Sequence, residues 1–150
     1  MKGSVASAAG GFVVGALAAV VYFTLLTPTP QDPCPGGDRH CIPVYVMVVG
    51  GKPQIMPIAD HDVREQDAVI SWSIGRNSGY KFPNGGIAFD KPDNPPGTSA
   101  EIINCHTAGD TKFVCTDRHT SLNKFGYTVK LEAVGGAPAV GPLDPWIINR

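Results

Sequence analysis

From Gly3 to Gln31 the sequence has no charged residue and no cysteine, and its only prolines there are Pro28 and Pro30. A soluble core helix needs a polar face at helical spacing. Only Ser4, Ser7 and Thr24 interrupt the run Ser4–Leu26, so that reading is excluded. Beyond Pro30 convincing helical periodicity is missing, which excludes a helical domain. A basic stripe is missing too: all 13 acidic residues and all but one (Lys2) of the 12 basic residues lie from Asp32 onward, without clustering. Nothing there grips a phosphate backbone, so nucleic-acid binding is not expected. There is no acidic run to form a disordered tail and no internal repeat.

What is present at the N-terminus is an apolar run of 23 residues, Ser4–Leu26, where about 20 suffice to cross a bilayer as a helix. A cleaved signal peptide is the competing reading, with Ala16-Leu17-Ala18 as its cleavage pattern. The apolar run continues past that point through Val20, Val21, Tyr22, Phe23, Leu25 and Leu26. The expectation is therefore an uncleaved anchor. Lys2 precedes the run and no positive charge follows it before Cys34, which places the N-terminus in the cytoplasm and the rest outside. Ser7, Gly11, Gly15 and Ala19 recur every fourth residue, a ridge of small side chains that lets two such helices approach closely. That ridge is a candidate surface for homodimer formation or for another membrane partner.

The four cysteines form two local couples, Cys34 with Cys41 and Cys105 with Cys115. An even count at close spacing in an exported chain reads as disulfides. Four cysteines allow three pairings, and the two local ones are expected. Reflection about Asp110 sets Cys105 opposite Cys115 in a hairpin whose arms are Glu101–Cys105 and Lys112–Thr116.

Thr27–Pro35 alternates proline with polar residues and reads as an extended stalk. Past it the pattern is strands and turns. Ile42–Val49 is a nearly continuous apolar run suited to a buried strand, ended by Gly50-Gly51. Ala68, Ile70, Trp72 and Ile74 alternate with Val69, Ser71 and Ser73, the period of a strand with one wet face. Asp60–Asp67 has room for a helical turn. Ile87–Phe89 is a short strand, and Lys91–Gly97 is loop. Phe125, Tyr127, Val129 and Leu131 alternate with Gly126, Thr128, Lys130 and Glu132. The reading is all-β: an anchor over residues 1–26 as a single transmembrane helix, a Pro-rich stalk over 27–35, a two-sheet sandwich of six to eight strands over 36–135, and an irregular tail over 136–150.

Two stretches carry a resemblance. Pro57–Ile74 contains a proline, a polar stretch with Asp67, and Ala68-Val-Ile-Ser-Trp72. Phe113-Val-Cys115-Thr-Asp-Arg-His119-Thr-Ser-Leu122 is followed by the strand Tyr127–Leu131. Together they resemble the cupredoxin family of blue-copper β-sandwich proteins, an immunoglobulin-like architecture being the other sandwich considered. The resemblance implies a copper site of two histidines, one cysteine thiolate and a weak axial methionine. Cys115 and His119 occupy two of those places. Leu122, Asn123 and Lys124 stand where the methionine belongs, and Gly75–Phe82 lacks the first histidine. The resemblance thus implies the scaffold with its metal site lost; copper binding or electron transfer at an atypical site is the alternative.

Other constellations are weaker. Cys105, His106, Cys115 and His119 have zinc-donor types, but adjacent strand residues point to opposite faces. Asp117, His119 and Ser121 are the residue types of a hydrolytic triad, which is defined by geometry and not by presence. Gly75-Arg-Asn-Ser78-Gly79 has the wrong spacing for a nucleophile elbow. Asp60-His61-Asp62 reads as a solvated turn. Pro145–Ile148 is an apolar patch that packs back on the sandwich or docks a partner. No catalytic residue, metal or cofactor is assigned. The expected function is a membrane-anchored periplasmic or extracellular structural or interaction module, not an enzyme.

Overall fold

The computed structural model describes residues 32–34 and 36–150. Asp32–Arg150 forms one compact unit, which is all-β and sandwich-like. The expected span over residues 4–26 and the ridge of Ser7, Gly11, Gly15 and Ala19 lie outside the described residues, as does most of the stalk. Among the described residues no helix is long and apolar enough to cross a membrane.

The first layer is a four-stranded sheet in which β1 (Cys41–Val44) runs parallel to β5 (Ala68–Ile74). β5 pairs antiparallel with β9 (Lys112–Asp117), and β9 with β8 (Ile102–Thr107). β5 departs from simple alternation: Val69 is exposed, yet Ser71 and Ser73 are buried with Ile70, Trp72 and Ile74. The turn at residues 36–40 folds over this face, and the Ser71 hydroxyl donates to Asp38 at 3.1 Å. The apolar run Ile42–Val49 does not form one buried strand either. It breaks at Tyr45 into β1, which enters the core at Ile42 and Val44, and β2 (Val46–Val49), which leaves it. Among the described residues β2 pairs only with β3 (Lys52–Ile55), as a two-stranded hairpin.

The second layer is built around the segment Lys124–Ala133, divided into β10 (Lys124–Gly126), β11 (Thr128–Val129) and β12 (Glu132–Ala133). β11 pairs with β7 (Ile87–Ala88), and β12 with β6 (Tyr80–Lys81). On its other side β10 pairs with β13 (Trp146–Asn149), which runs parallel to β4 (His61–Val63). Two expectations are corrected here. The chain does not end in an irregular tail, because Ile147 is fully buried and β13 lies between two strands. Asp60–Asp67 holds a strand at 61–63 and not a helical turn, because β13 offers it a parallel edge. The alternation expected over 125–131 is overridden as well. Gly126 and Thr128 are buried, Gly126 lying under the Trp146 ring, so both faces of the segment are covered.

The core lies between the layers. Trp72, Ile70, Phe113 and Cys115 come from the first layer; Tyr127, Phe125, Val129, Val63 and Ile147 come from the second. Trp72 meets Tyr127 edge to face at 5.3 Å and Phe89 at 6.3 Å. Each fully buried large apolar side chain contributes about 1.5–3 kcal/mol of transfer free energy. A single turn of helix, α1 (Thr98–Glu101), leads into β8 and sets Glu101 at the sheet edge.

Candidate functional site

Both expected disulfides are formed, Cys34–Cys41 and Cys105–Cys115, and no described cysteine is free. The second lies across the β8–β9 ladder where reflection about Asp110 sets it. Between Ile103 and His106 the register shifts by one residue, and Asn104 takes φ +53°. That bulge brings Cys105 to Cys115 while Ile102 still faces Asp117.

Cys34–Cys41 closes the turn that positions Asp38, Arg39 and His40. Asp38 accepts from the His40 backbone N–H at 3.2 Å as well as from Ser71, and pairs with Lys112 at 3.7 Å. So anchored, His40 bridges two side chains. Its Nε2 lies 3.1 Å from Glu65 Oε2, and its Nδ1 lies 3.0 Å from His61 Nε2 on β4. An ionised carboxylate only accepts, so Nε2 of His40 carries a proton toward Glu65. A neutral His40 then accepts at Nδ1 from the Nε2–H of His61. Arg39 holds the other Glu65 oxygen at 3.0 Å. Burial first, and then the neighbouring His40, push the His61 imidazole below its ordinary value, with Asp62 and Asp38 pulling the other way. His61 and Asp60 border a groove of about 240 Å³ walled by Pro43, Tyr45, Pro57 and Ile58. Asp60 pairs with Lys124 at 3.1 Å, and Asp62 with Arg150 at 3.2 Å. The three residues read as a solvated turn thus lie at and beside a strand, each with a different partner.

A second cluster sits where β9, α1 and β13 converge. The buried Glu101 carboxylate accepts from both the backbone N–H and the hydroxyl of Thr120, and from the Ser121 N–H at 3.0 Å. Burial alone would push its pKa up, but those donors outweigh burial and hold the carboxyl below its ordinary value. Asp117 is fully buried; burial pushes it up, against the His119 N–H at 2.9 Å and the Asn149 amide at 3.1 Å. Among the described residues Asp117 Oδ2 and Asn149 Oδ1 have no partner. The Asn149 amide also donates to Ser121 O at 3.3 Å and reaches Glu101 at 3.5 Å, which ties the chain end to the 117–121 loop. In the core, Trp72 Nε1 and Tyr127 Oη are likewise unpartnered. Burial pushes the Tyr127 phenol well above its ordinary range, against an opposing pull from the Trp72 indole and with Asp60 pushing the same way as burial.

These geometries decide what the sequence-level candidates do. The triad types are not in relay. Asp117 receives the backbone of His119, whose ring Nε2 instead donates to Val63 O at 3.1 Å, and the Ser121 N–H turns to Glu101. The zinc-type set loses both of its sulfurs and the copper-type set its one, Cys115, to the Cys105–Cys115 disulfide, while His106 Nδ1 sits 2.7 Å from Asn104 O. A copper thiolate needs a sulfur with no disulfide partner. Among the described residues no group of three or more His, Cys, Asp or Glu is arranged to hold a metal ion. Sequence reasoning missed Asp38, His40, Glu65, Glu101 and Asn149. The tight Cys34–Cys41 bracket is a signal for the first two; the others are joined only by the fold. The chain matches no protein-family model and no curated protein.

Proposed function

We propose that the chain is a membrane-anchored, extracytoplasmic structural or interaction module, a sandwich of cupredoxin type whose copper chemistry is lost. The observation that carries this reading is that both sulfur couples are closed, with Cys115 joined to Cys105 and fully buried. Cys115 is the one thiolate donor that the cupredoxin pattern supplies, and in this state it has no thiolate to offer. Two local disulfides also fit an oxidising compartment, on the far side of the membrane from Lys2. The polar clusters support the same reading, because their side chains are occupied in holding turns and the chain end in place. Neither cluster sets a base against a nucleophile.

The test is made on the full-length protein from its native membrane. Retention in the pellet after alkaline carbonate washing, protease access from the outer side only, and no free thiol before reduction are the expected results. Release into the soluble fraction would remove the anchor. Four free thiols, together with an intense visible band on adding copper, would replace this reading by an electron-transfer one.

A further inference from the structure

The β2–β3 hairpin has one protected edge and one unprotected edge. Gly50 and Gly51 take φ +59° and +79°, the two positive values of a type I′ turn. In a two-residue hairpin the residues flanking the turn are a hydrogen-bonded pair. Val49 with Lys52 and Met47 with Gln54 therefore bond to each other, while Val48 with Pro53 and Val46 with Ile55 do not. The bond from Met56 N–H to Tyr45 O at 2.8 Å continues the same alternation. It follows that Val46 and Val48 direct their N–H and C=O groups away from β3, and Pro53 and Ile55 direct theirs away from β2. On the β3 side Pro53 has no N–H to offer, a common way of blunting an edge. On the β2 side no proline, charge or bulge intervenes, and among the described residues no strand pairs there. The side chains are apolar and exposed: Met47 by 53%, Val48 by 71%, Val49 by 49%.

We propose that the free edge of β2 is the surface through which two copies of this chain pair, as antiparallel β2 strands about a two-fold axis. The proposal gives the interaction module of the preceding section its partner and rests on that reading. The edge is complementary to itself. Setting Val46 against Val48 of the second copy lets each N–H meet the other's C=O, and the two-fold repeats this at Val48 and Val46. Four hydrogen bonds form, and Met47 faces Met47 of the second copy as a non-hydrogen-bonded pair. Nothing from Tyr45 to Val49 is charged, so no like charges meet, and a charged peptide would find no counter-charge along the strand. The chain outside the described residues favours a second copy as well. The proposed anchor confines all copies to one plane, and the stalk over 27–35 reaches about 28 Å when extended. The small-residue ridge of Ser7, Gly11, Gly15 and Ala19 suits the same pairing inside the bilayer.

The experiment uses the full-length chain in lipid bilayers, with single cysteines added to the oxidised protein. The two Met47 Cα atoms would lie about 4.5 Å apart, within disulfide reach. Met47→Cys should therefore give a covalent dimer on mild oxidation. Gln54→Cys is one strand further out on each side, about 14 Å from its counterpart, and should give none. Val48→Pro on the Met47→Cys background removes the outward donor at a position where β3 does not need it, and should reduce the cross-linked fraction about tenfold or more. Equal cross-linking at positions 47 and 54, no cross-linking at 47, or cross-linking at 47 to a different protein would each overturn the proposal. If Val48→Pro disrupts the hairpin, the comparison of positions 47 and 54 decides alone. Carbonate extraction of the same samples keeps the readings apart. A released chain that still cross-links at 47 sinks the anchor and keeps the edge; a retained chain that does not cross-link sinks the edge alone.

Discussion

Replacing Glu101 with alanine tests whether the cluster at the end of β9 holds the domain together. The wild-type carboxylate accepts three donors from Thr120 and Ser121 and approaches the Asn149 amide. Alanine leaves two backbone N–H groups without their acceptor, and an unmet half-buried donor costs about 1–3 kcal/mol. Thr120 is exposed, so water reaches its N–H and hydroxyl and lowers the penalty. Loss of the Glu101 charge also relieves the repulsion on Asp117 and offsets a further part. The net expectation is a loss of about 3 kcal/mol at pH 7, or about 10 °C in Tm for a domain of this size. Urea unfolding of the wild type and Glu101→Ala measures it. The pH dependence is the sharper check. The folded-state value of Glu101 lies below its ordinary 4.5, so its contribution is full above that pH and is lost as pH falls through the folded value. Asp117 has the opposite sign: its raised value means that stability falls as pH rises from 3.8 until the folded group ionises. The gap between the two unfolding curves should therefore narrow as pH falls below 4.5. A loss under 1 kcal/mol at pH 7, or a gap that stays constant down to pH 3, would refute the assignment.

For His61, the lowered folded-state value means that the unfolded chain takes up a proton first as pH falls below 6.5. Stability should decline from pH 7.5 to 5.5 in the wild type and decline less in His61→Gln; equal urea-midpoint shifts in the two proteins would remove the effect. Tyr127→Phe deletes a fully buried hydroxyl that has no partner, so stability should hold within about 1 kcal/mol or rise. A loss above 2 kcal/mol in thermal unfolding would show that the hydroxyl is bonded after all. Gly86→Ala would place a Cβ 3.0 Å from Pro83 O and 3.2 Å from Lys130 O, both backbone atoms, where Lys130 N–H also donates to Gly86 O at 2.7 Å. It should cost about 1–3 kcal/mol and weaken the β11–β7 pairing, read as faster amide exchange at Lys130.

The parts of this domain that could be read from the chain are those whose information is local. The Cys105–Cys115 hairpin needed only a turn at Gly109-Asp110 and two flanking arms, and reflection reached the right opposition. It did not reach the bulge at Asn104, whose left-handed φ has no sequence marker stronger than asparagine itself. Ile42–Val49 was legible as strand but not as two strands. Val44 and Val48 are the same residue type, and what separates them is that Val44 faces Ile74 on β5 while Val48 has only Pro53 beside it. The polar clusters were the least legible. Glu101 meets residues 19 and 20 positions on, and Asn149 meets Asp117 across 32. Such pairings follow from sheet order, and sheet order depends on β13, whose short apolar stretch among prolines looked like a tail.

The distribution of hydrogen-bonding groups connects the two halves of the functional reading. His40 reaches β4 through His61, His119 reaches it through Val63 O, and the Arg150 N–H adds a second bond to that carbonyl at 3.0 Å. The three-residue strand β4 thus ties together the disulfide-closed turn, the loop after β9 and the C-terminal strand. A titratable group used in this way is poorly placed for turnover, because moving its proton loosens a contact that maintains the fold. The hairpin is the opposite case. Its base is held by Val46 and Ile55 against the core, and its free edge keeps backbone donors and acceptors that the domain leaves unused. For the proposed pairing at β2, clamps that fix the sandwich lower the conformational entropy that association has to overcome.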